Sequence, residues 1–274
     1  MGVTYDAVWT GSASSLFTTA GNWSPANVPT VGEDIMIPAG TPAIDCTGMS
    51  DTAYGVLTIQ PGHTGDIGSS GASLISSFTK IDHRGSGKLY FTNGAATTAL
   101  VRIRTGTGLG GSVVDAFDLN GASITRIEIL RGAGLLRASM ATLASLYVGY
   151  VNNIIGDVRL TLDASSNAIT ELIQDGGSIT STRLVTRLLQ KVGQFRQKVG
   201  QAVTTADVAG EFVYESNTTI TTLRARGGSR VDLEQNRNLE VTVTNSTFYP
   251  GSRIIFDPAT VVFSSATEDL RNAA

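Results

Sequence analysis

From Ile124 to about Phe263 the apolar positions of the chain return in one short phrase. It reads Ile124-Thr125, Ile169-Thr170, Val185-Thr186, Val203-Thr204, Ile220-Thr221 and Val241-Thr242. Three residues after the first member stands another apolar side chain: Ile127, Leu172, Leu188, Ala206 and Leu223, with Thr244 in that place in the sixth copy. Seven or eight residues after it comes a glycine: Gly132, Gly176-Gly177, Gly193, Gly210 and Gly227-Gly228. From Ile169 onward the starts lie 16, 18, 17 and 21 residues apart. A recurrent period built of strand-like phrases and turn glycines predicts a solenoid.

One period explains why. Leu223-Arg224-Ala225-Arg226 alternates small-apolar and charged side chains, and after the glycines Val231-Asp232-Leu233-Glu234 alternates again. Period two is a strand with one face dry and one wet. The glycine pair supplies a corner with positive φ. A single coil has too little apolar surface to stand alone, so the coils must stack at a strand spacing of roughly 4.8 Å and share a core. The predicted fold is all-β, a right-handed parallel β-helix. Residues 1–50 form an N-terminal capping or attachment segment, residues 51–263 the β-helix, and residues 264–274 a polar tail that frays or reaches a neighbour. Residues 184–202 admit two readings. Apolar side chains at 184, 185, 188, 189, 192, 195 and 199 fit a helix by spacing, while the repeat phase and the interrupting Gly193 and Gly200 favour another coil.

The opening segment differs from the rest. It holds both tryptophans, Trp9 and Trp23, and four of the seven prolines. Trp9, Phe17 and Trp23 are large enough to cover the open end of a solenoid, and Pro25, Pro29, Pro38 and Pro42 cannot donate to a ladder. The alternative for Trp9 and Trp23 is an aromatic platform for sugars. The strings Ala20-Gly21-Asn22-Trp23-Ser24 and Val28-Pro29-Thr30-Val31-Gly32-Glu33-Asp34-Ile35 resemble the opening of many bacterial and phage β-helix surface proteins. The later phrase from Thr219 to Leu233 is similar to coils of phage structural proteins. The resemblance covers about residues 7–40 and 169–263. It implies a coil-capping opening and a virion surface role, and brings no catalytic motif with it.

Composition changes the picture little. Charged residues make up 16% of the chain and glycines number 31, which suits a β-solenoid and argues against disorder. A formal net charge of −3 gives no reason to expect nucleic acid. No 18-residue apolar run predicts a membrane span, and the start of the chain lacks the features of a signal peptide. The single cysteine, Cys46, excludes an intrachain disulfide and reads as a small buried hydrophobe.

Candidate chemistry is sparse. Gly106-x-Gly108-x-x-Gly111 has the spacing of a dinucleotide fingerprint but lacks the strand-turn-helix context that would make it one. His83, between Asp82 and Arg84, is a candidate general base, with a surface turn residue as the plainer reading. β-Helix enzymes that cut acidic polysaccharides need carboxylates aligned on one face, sometimes with calcium. No acidic column recurs at the repeat phase. Glu211, Glu215, Asp232 and Glu234, in adjacent coils, are the best clusters, and a solvated face is the plainer account. The basic side chains are slightly more ordered: Arg126, Arg187 and Arg224 near the start of the phrase, Lys191 and Arg226 at its sixth offset. They form either a stripe for an acidic partner or a device that keeps an exposed strand soluble.

These readings converge on a non-enzymatic phage virion protein made in the host cytoplasm: a capsid decoration (cement) protein or short fibre. Its expected partners are the major capsid protein or another virion protein and sister subunits, a trimer among the options. Neither nucleic acid nor membrane is an expected partner, and neither cofactor nor metal is expected. The binding candidates are Trp9, Trp23, Arg187, Arg224 and Arg226. The competing expectations are a polysaccharide-binding or polysaccharide-degrading β-helix and a bacterial surface adhesin.

Overall fold

The computed structural model describes residues 4–40, 42–93, 96–104, 115–121, 124–136, 143–149, 158–163, 167–234, 240–265 and 267–271. The dinucleotide-like glycines at 106–111 lie outside them. The chain divides into two compact units, Met1–Thr142 and Leu143–Ala274. Each is a parallel β-solenoid in which successive coils add one strand to each of two ladders.

In the first unit one ladder runs Ala7–Trp9, Ile35–Ile37, Ala53–Ile59, Ser77–His83, Thr98–Arg104 and the first half of Ile124–Leu136, all parallel. The second ladder runs Leu89–Asn93, Asp115–Gly121 and the second half of Ile124–Leu136. Period two sends every other side chain inward, and stacking in register turns these into columns. One column is Ile35, Leu57, Ile81, Val101 and Ile127. The next is Ile37, Ile59, His83, Ile103 and Ile129. All ten are 0–1% exposed. At roughly 1.5–3 kcal/mol for each fully buried aliphatic side chain, these columns are the main source of cohesion between coils.

In the second unit the ladders run Leu143–Val148, Ile169–Ser181, Val185–Gln197, Val203–Val208, Ile220–Ala225 and Val241–Phe248 on one face. On the other face they run Val158–Leu162, the second halves of Ile169–Ser181 and Val185–Gln197, Glu211–Tyr214, Arg230–Asp232 and Arg253–Ile255. The phrase read from the sequence is the coil unit: Ile169 pairs with Val185, Val185 with Val203, and Leu172, Leu188, Ala206 and Leu223 form one column. Residues 184–202 are a coil. Val185–Gln197 bends at Gly193, where φ is 101°, so the helix-like spacing comes from two short alternating strands joined at a corner. Val192 and Val199, apolar in the helical pattern, are about half exposed.

Two details differ from the sequence expectation. The sixth copy is two residues out of phase: Ile220 pairs with Val243, and Ser246 fills the column place below Leu223. That register buries Val243 and Phe248, whereas Val241 pairs onward with Val261. The tail contributes a strand, Thr267–Asp269, parallel to Ser246–Phe248.

The opening segment packs by its aromatic rings. Trp9 and Trp23 pair across an antiparallel bridge with ring centroids 5.0 Å apart, edge to face. Phe17 lies 4.8 Å from Trp23, whose indole N–H donates to the Phe17 carbonyl at 2.8 Å. An aromatic file then continues through Tyr54, Phe78 and Phe91.

Candidate functional site

The coil-to-coil register decides which polar side chains meet. Outward positions on the first ladder of the first unit form two rows. One holds Val56, Lys80, Leu100 and Arg126; the next holds Thr58, Asp82, Arg102 and Glu128. Arg84 and Arg104 follow at the ends of their strands, and Arg131 stands in register with Arg104. Two carboxylates organise the cations around them. Asp82, its side chain 3% exposed, accepts from Arg84 Nε at 3.2 Å and Nη2 at 2.7 Å, and from Arg104 Nε at 3.1 Å and Nη2; Lys80 Nζ lies 3.9 Å away. Glu128 accepts from Arg102 Nε on one oxygen at 2.6 Å and from Arg126 Nε on the other at 2.8 Å.

Burial acts to raise the Asp82 carboxyl, but hydrogen bonds from and the charges of Arg84 and Arg104 outweigh it, so it sits below the ordinary carboxylate value. Glu128 is lowered in the same way: burial opposes, and Arg102 and Arg126 prevail. Both are therefore fixed anions rather than proton donors. Five cations, Lys80, Arg84, Arg102, Arg104 and Arg126, surround these two carboxylates, an excess of positive charge in a chain whose formal net charge is −3. Beside them opens a cleft of about 340 Å³ lined by Tyr5, Asp34, Val56, Thr58, Gln60, Pro61, Lys80, Asp82 and Arg84.

The sequence-predicted candidates lie elsewhere. Trp9 and Trp23 are 0% and 2% exposed, so their rings belong to the interior and present no stacking face for a sugar. Arg187 donates to Glu171 in the preceding coil at 3.0 Å. Arg226 grips Asp207 with two bonds of 2.7 and 2.6 Å and lies 4.8 Å over the Tyr249 ring. Arg224 is exposed, in register with Asp207 and Thr247. Trp9 and Trp23 pack on each other in the first unit, and Arg187, Arg224 and Arg226 belong to the second. Lys191 likewise meets Asp175 at 3.0 Å, so the basic stripe interlocks with acids of the adjacent coil.

Three of the four acidic candidates, Glu211, Asp232 and Glu215, are held too. Glu211 and Asp232 are bridged by Arg230, and Glu215 takes Arg196 at 2.9 Å and Lys198 at 2.8 Å. His83 is a correction: it is 0% exposed and faces the core between Ile59 and Ile103, because alternation along Ser77–His83 turns Asp82 outward and His83 inward. His63 is also buried, and desolvation holds its imidazole below the ordinary value. Cys46 is 2% exposed, its thiol pushed up to about 12 by burial, which makes it inert as a nucleophile. Among the described residues no group of three or more His, Cys, Asp or Glu side chains converges to hold a metal ion.

Sequence reasoning missed the Asp82 and Glu128 clusters. Their signal was present as alternating charge in Lys80-x-Asp82-x-Arg84, Arg102-x-Arg104 and Arg126-x-Glu128, but the spacing between these coils does not follow the later phrase. Compared with family models, curated proteins and solved structures, the chain matches none of them. The likeness to phage β-helix surface proteins therefore rests on the opening strings and the repeated phrase quoted above.

Proposed function

We propose that this chain is a non-catalytic structural protein of a phage particle, a decoration protein or short fibre that binds the particle surface in many copies. The observation that carries the non-catalytic part is where the carboxylates go. Glu171, Asp175, Asp207, Glu211 and Glu215 each meet a base from a neighbouring coil. Asp82 and Glu128 are pushed toward the permanently ionised form. A glycosidase or lyase needs a carboxyl able to take or give a proton near neutral pH, and ion pairing with arginine works against that. Stacked coils held by apolar columns make a stiff scaffold, and many weak contacts to a lattice add by avidity. The virion assignment is supported by the sequence likeness alone.

Two measurements test it. Gold-labelled antibody against the chain should decorate particles from its source in electron micrographs, and bare particles would refute the location. Incubation with acidic and neutral polysaccharides should release no new chain ends, and any turnover would refute the non-catalytic reading.

A further inference from the structure

We infer that one sheet face of the second unit is a contact surface for a second copy of this chain, the two copies being related by a two-fold axis parallel to the strands. Alternation along Ile169–Ser181 and Val185–Gln197 sends Leu172, Gln174, Leu188 and Gln190 inward, all 0–1% exposed. It turns Glu171, Ile173 and Asp175 outward in one coil and Arg187, Leu189 and Lys191 outward in the next. Register stacks Tyr147, Ile173 and Leu189 as one outward file across three coils, each side chain half-buried. Beyond Leu189 the file turns polar, with Asp207, Arg224 and Thr247. A lone outward aliphatic needs no explanation, but a contiguous file on a sheet face marks a place where something docks.

Charge selects the occupant. Glu171 and Arg187 flank the file on one side, 3.0 Å apart, and Asp175 and Lys191 flank it on the other, also 3.0 Å apart. In both pairs the acid belongs to the earlier coil and the base to the next. A copy turned about an axis that runs along the strands and passes between these two coils has its coil order reversed and its strand direction kept. Glu171 then faces Arg187 of the second copy, Asp175 faces its Lys191, and Ile173 faces its Leu189. Each ion pair becomes half of a square of alternating charge, and Tyr147 comes opposite Asp207 of the second copy. Turning the copy about the solenoid axis instead sets Glu171 against Asp175 and Arg187 against Lys191, which repels. The shared polarity of the two pairs therefore permits one closed, self-complementary arrangement and rejects the other. The bases at the rim, Arg187 and Lys191, are 60% and 59% exposed, so no buried ion has to be stripped of water. Four coils at about 4.8 Å and five residues at about 3.3 Å make a face of roughly 19 by 17 Å. That is near the lower end for specific interfaces, so pairing is weak and depends on concentration. The inference goes beyond the particle assignment and does not rest on it, because the contact forms between free chains in solution.

The test is sedimentation equilibrium of the full chain from micromolar to millimolar concentration. The parent chain should show a monomer–dimer equilibrium. Leu189→Glu should weaken self-association about tenfold or more. Glu171→Arg and Arg187→Glu should each be monomeric alone, because like charges then face each other across the axis. An equimolar mixture of the two should dimerise, because each substituted side chain meets an opposite charge on the other copy. The ion pair lost within each variant is exposed and contributes little to folding, so an unchanged urea midpoint is expected and shows that the coils are intact. The inference is overturned if the parent chain stays monomeric at millimolar concentration, a result that needs no variant to fold. It is also overturned if Leu189→Glu associates like the parent, or if the mixture remains monomeric. Tighter association of Glu171→Arg alone would put the axis along the solenoid, and growth beyond the dimer would mean an open, head-to-tail contact; either result overturns it. None of these results bears on whether the chain sits on a particle.

Discussion

Gln174 and Gln190 stack at the inward place five residues into their coils, where Val148 precedes them and Val208 and Ala225 follow. The two amides are 0% and 1% exposed. Gln190 Nε2 lies 3.0 Å from the Gly193 carbonyl and 2.9 Å from that of Glu211, and Gln174 serves the Gly177 and Gln194 carbonyls in the same way. Carbonyls at and beside the corners thus find a side-chain donor inside the core. Gln190→Leu keeps the volume but leaves these acceptors buried and unpaired, at about 1–3 kcal/mol each; a lowered urea midpoint with an unchanged slope is the expected result. His63 makes stability depend on pH near neutrality. Its folded value lies below the ordinary 6.5, so between the two the unfolded chain binds more protons, and stability falls as pH drops from about 6.5 through the folded value. Asp82 and Glu128, lowered from 3.8 and 4.5, hold their contribution above those values and lose it as pH falls further. His63→Gln should lessen the fall of the urea midpoint as pH drops below about 6.5 and leave the more acidic fall in place.

At the scale of elements, the coils depend on close backbone approach at the corners. A Cβ on Gly210 would stand 2.5 Å from the Gly193 carbonyl oxygen, and one on Gly193 2.5 Å from that of Gly177. These glycines form a column for the same reason the aliphatics do: each coil lies directly on the last. Gly210→Ala must push two coils apart there, so it should lower the thermal midpoint, whereas Gly200→Ala, which meets nothing within 4 Å but sits at φ 115°, tests conformational strain alone. The opening segment is the other decisive element. Trp9→Ala removes a fully buried ring that packs on Trp23, and a loss of about 3–5 kcal/mol is expected from chemical denaturation. Cys46 reports on the same region: a thiol reagent should modify it only after unfolding, and rapid labelling of the native chain would show that the opening coils breathe.

Across the whole of either unit, a solenoid coil touches only its neighbours, so protection should be graded along the stack. In the second unit, Ile169–Ser181 and Val185–Gln197 are paired on both sides, while Arg253–Ile255 and Thr267–Asp269 form outer strands with exposed or half-exposed side chains. Native-state hydrogen exchange should show the interior pair slowest and the outer strands faster by orders of magnitude. Uniform protection would mean that the unit opens only as a block.

The order of amino acids determined by itself that the chain is β, that it repeats, and where most coils begin. Alternation and turn glycines are local properties, and the same phrase that makes one strand amphipathic sets how it stacks. Even the ambiguous stretch at 184–202 follows from phase, because Gly193 converts a helix-like spacing into two strands and a corner. Only the tertiary structure decided which side chains meet between coils. Register placed His83 inside, slid the sixth copy onto Val243, and set Asp82 and Glu128 as clamps between arginines 20 or more residues apart in the chain. Such contacts depend on the length of every intervening corner, and corner lengths vary from coil to coil without leaving a mark in the hydrophobic pattern.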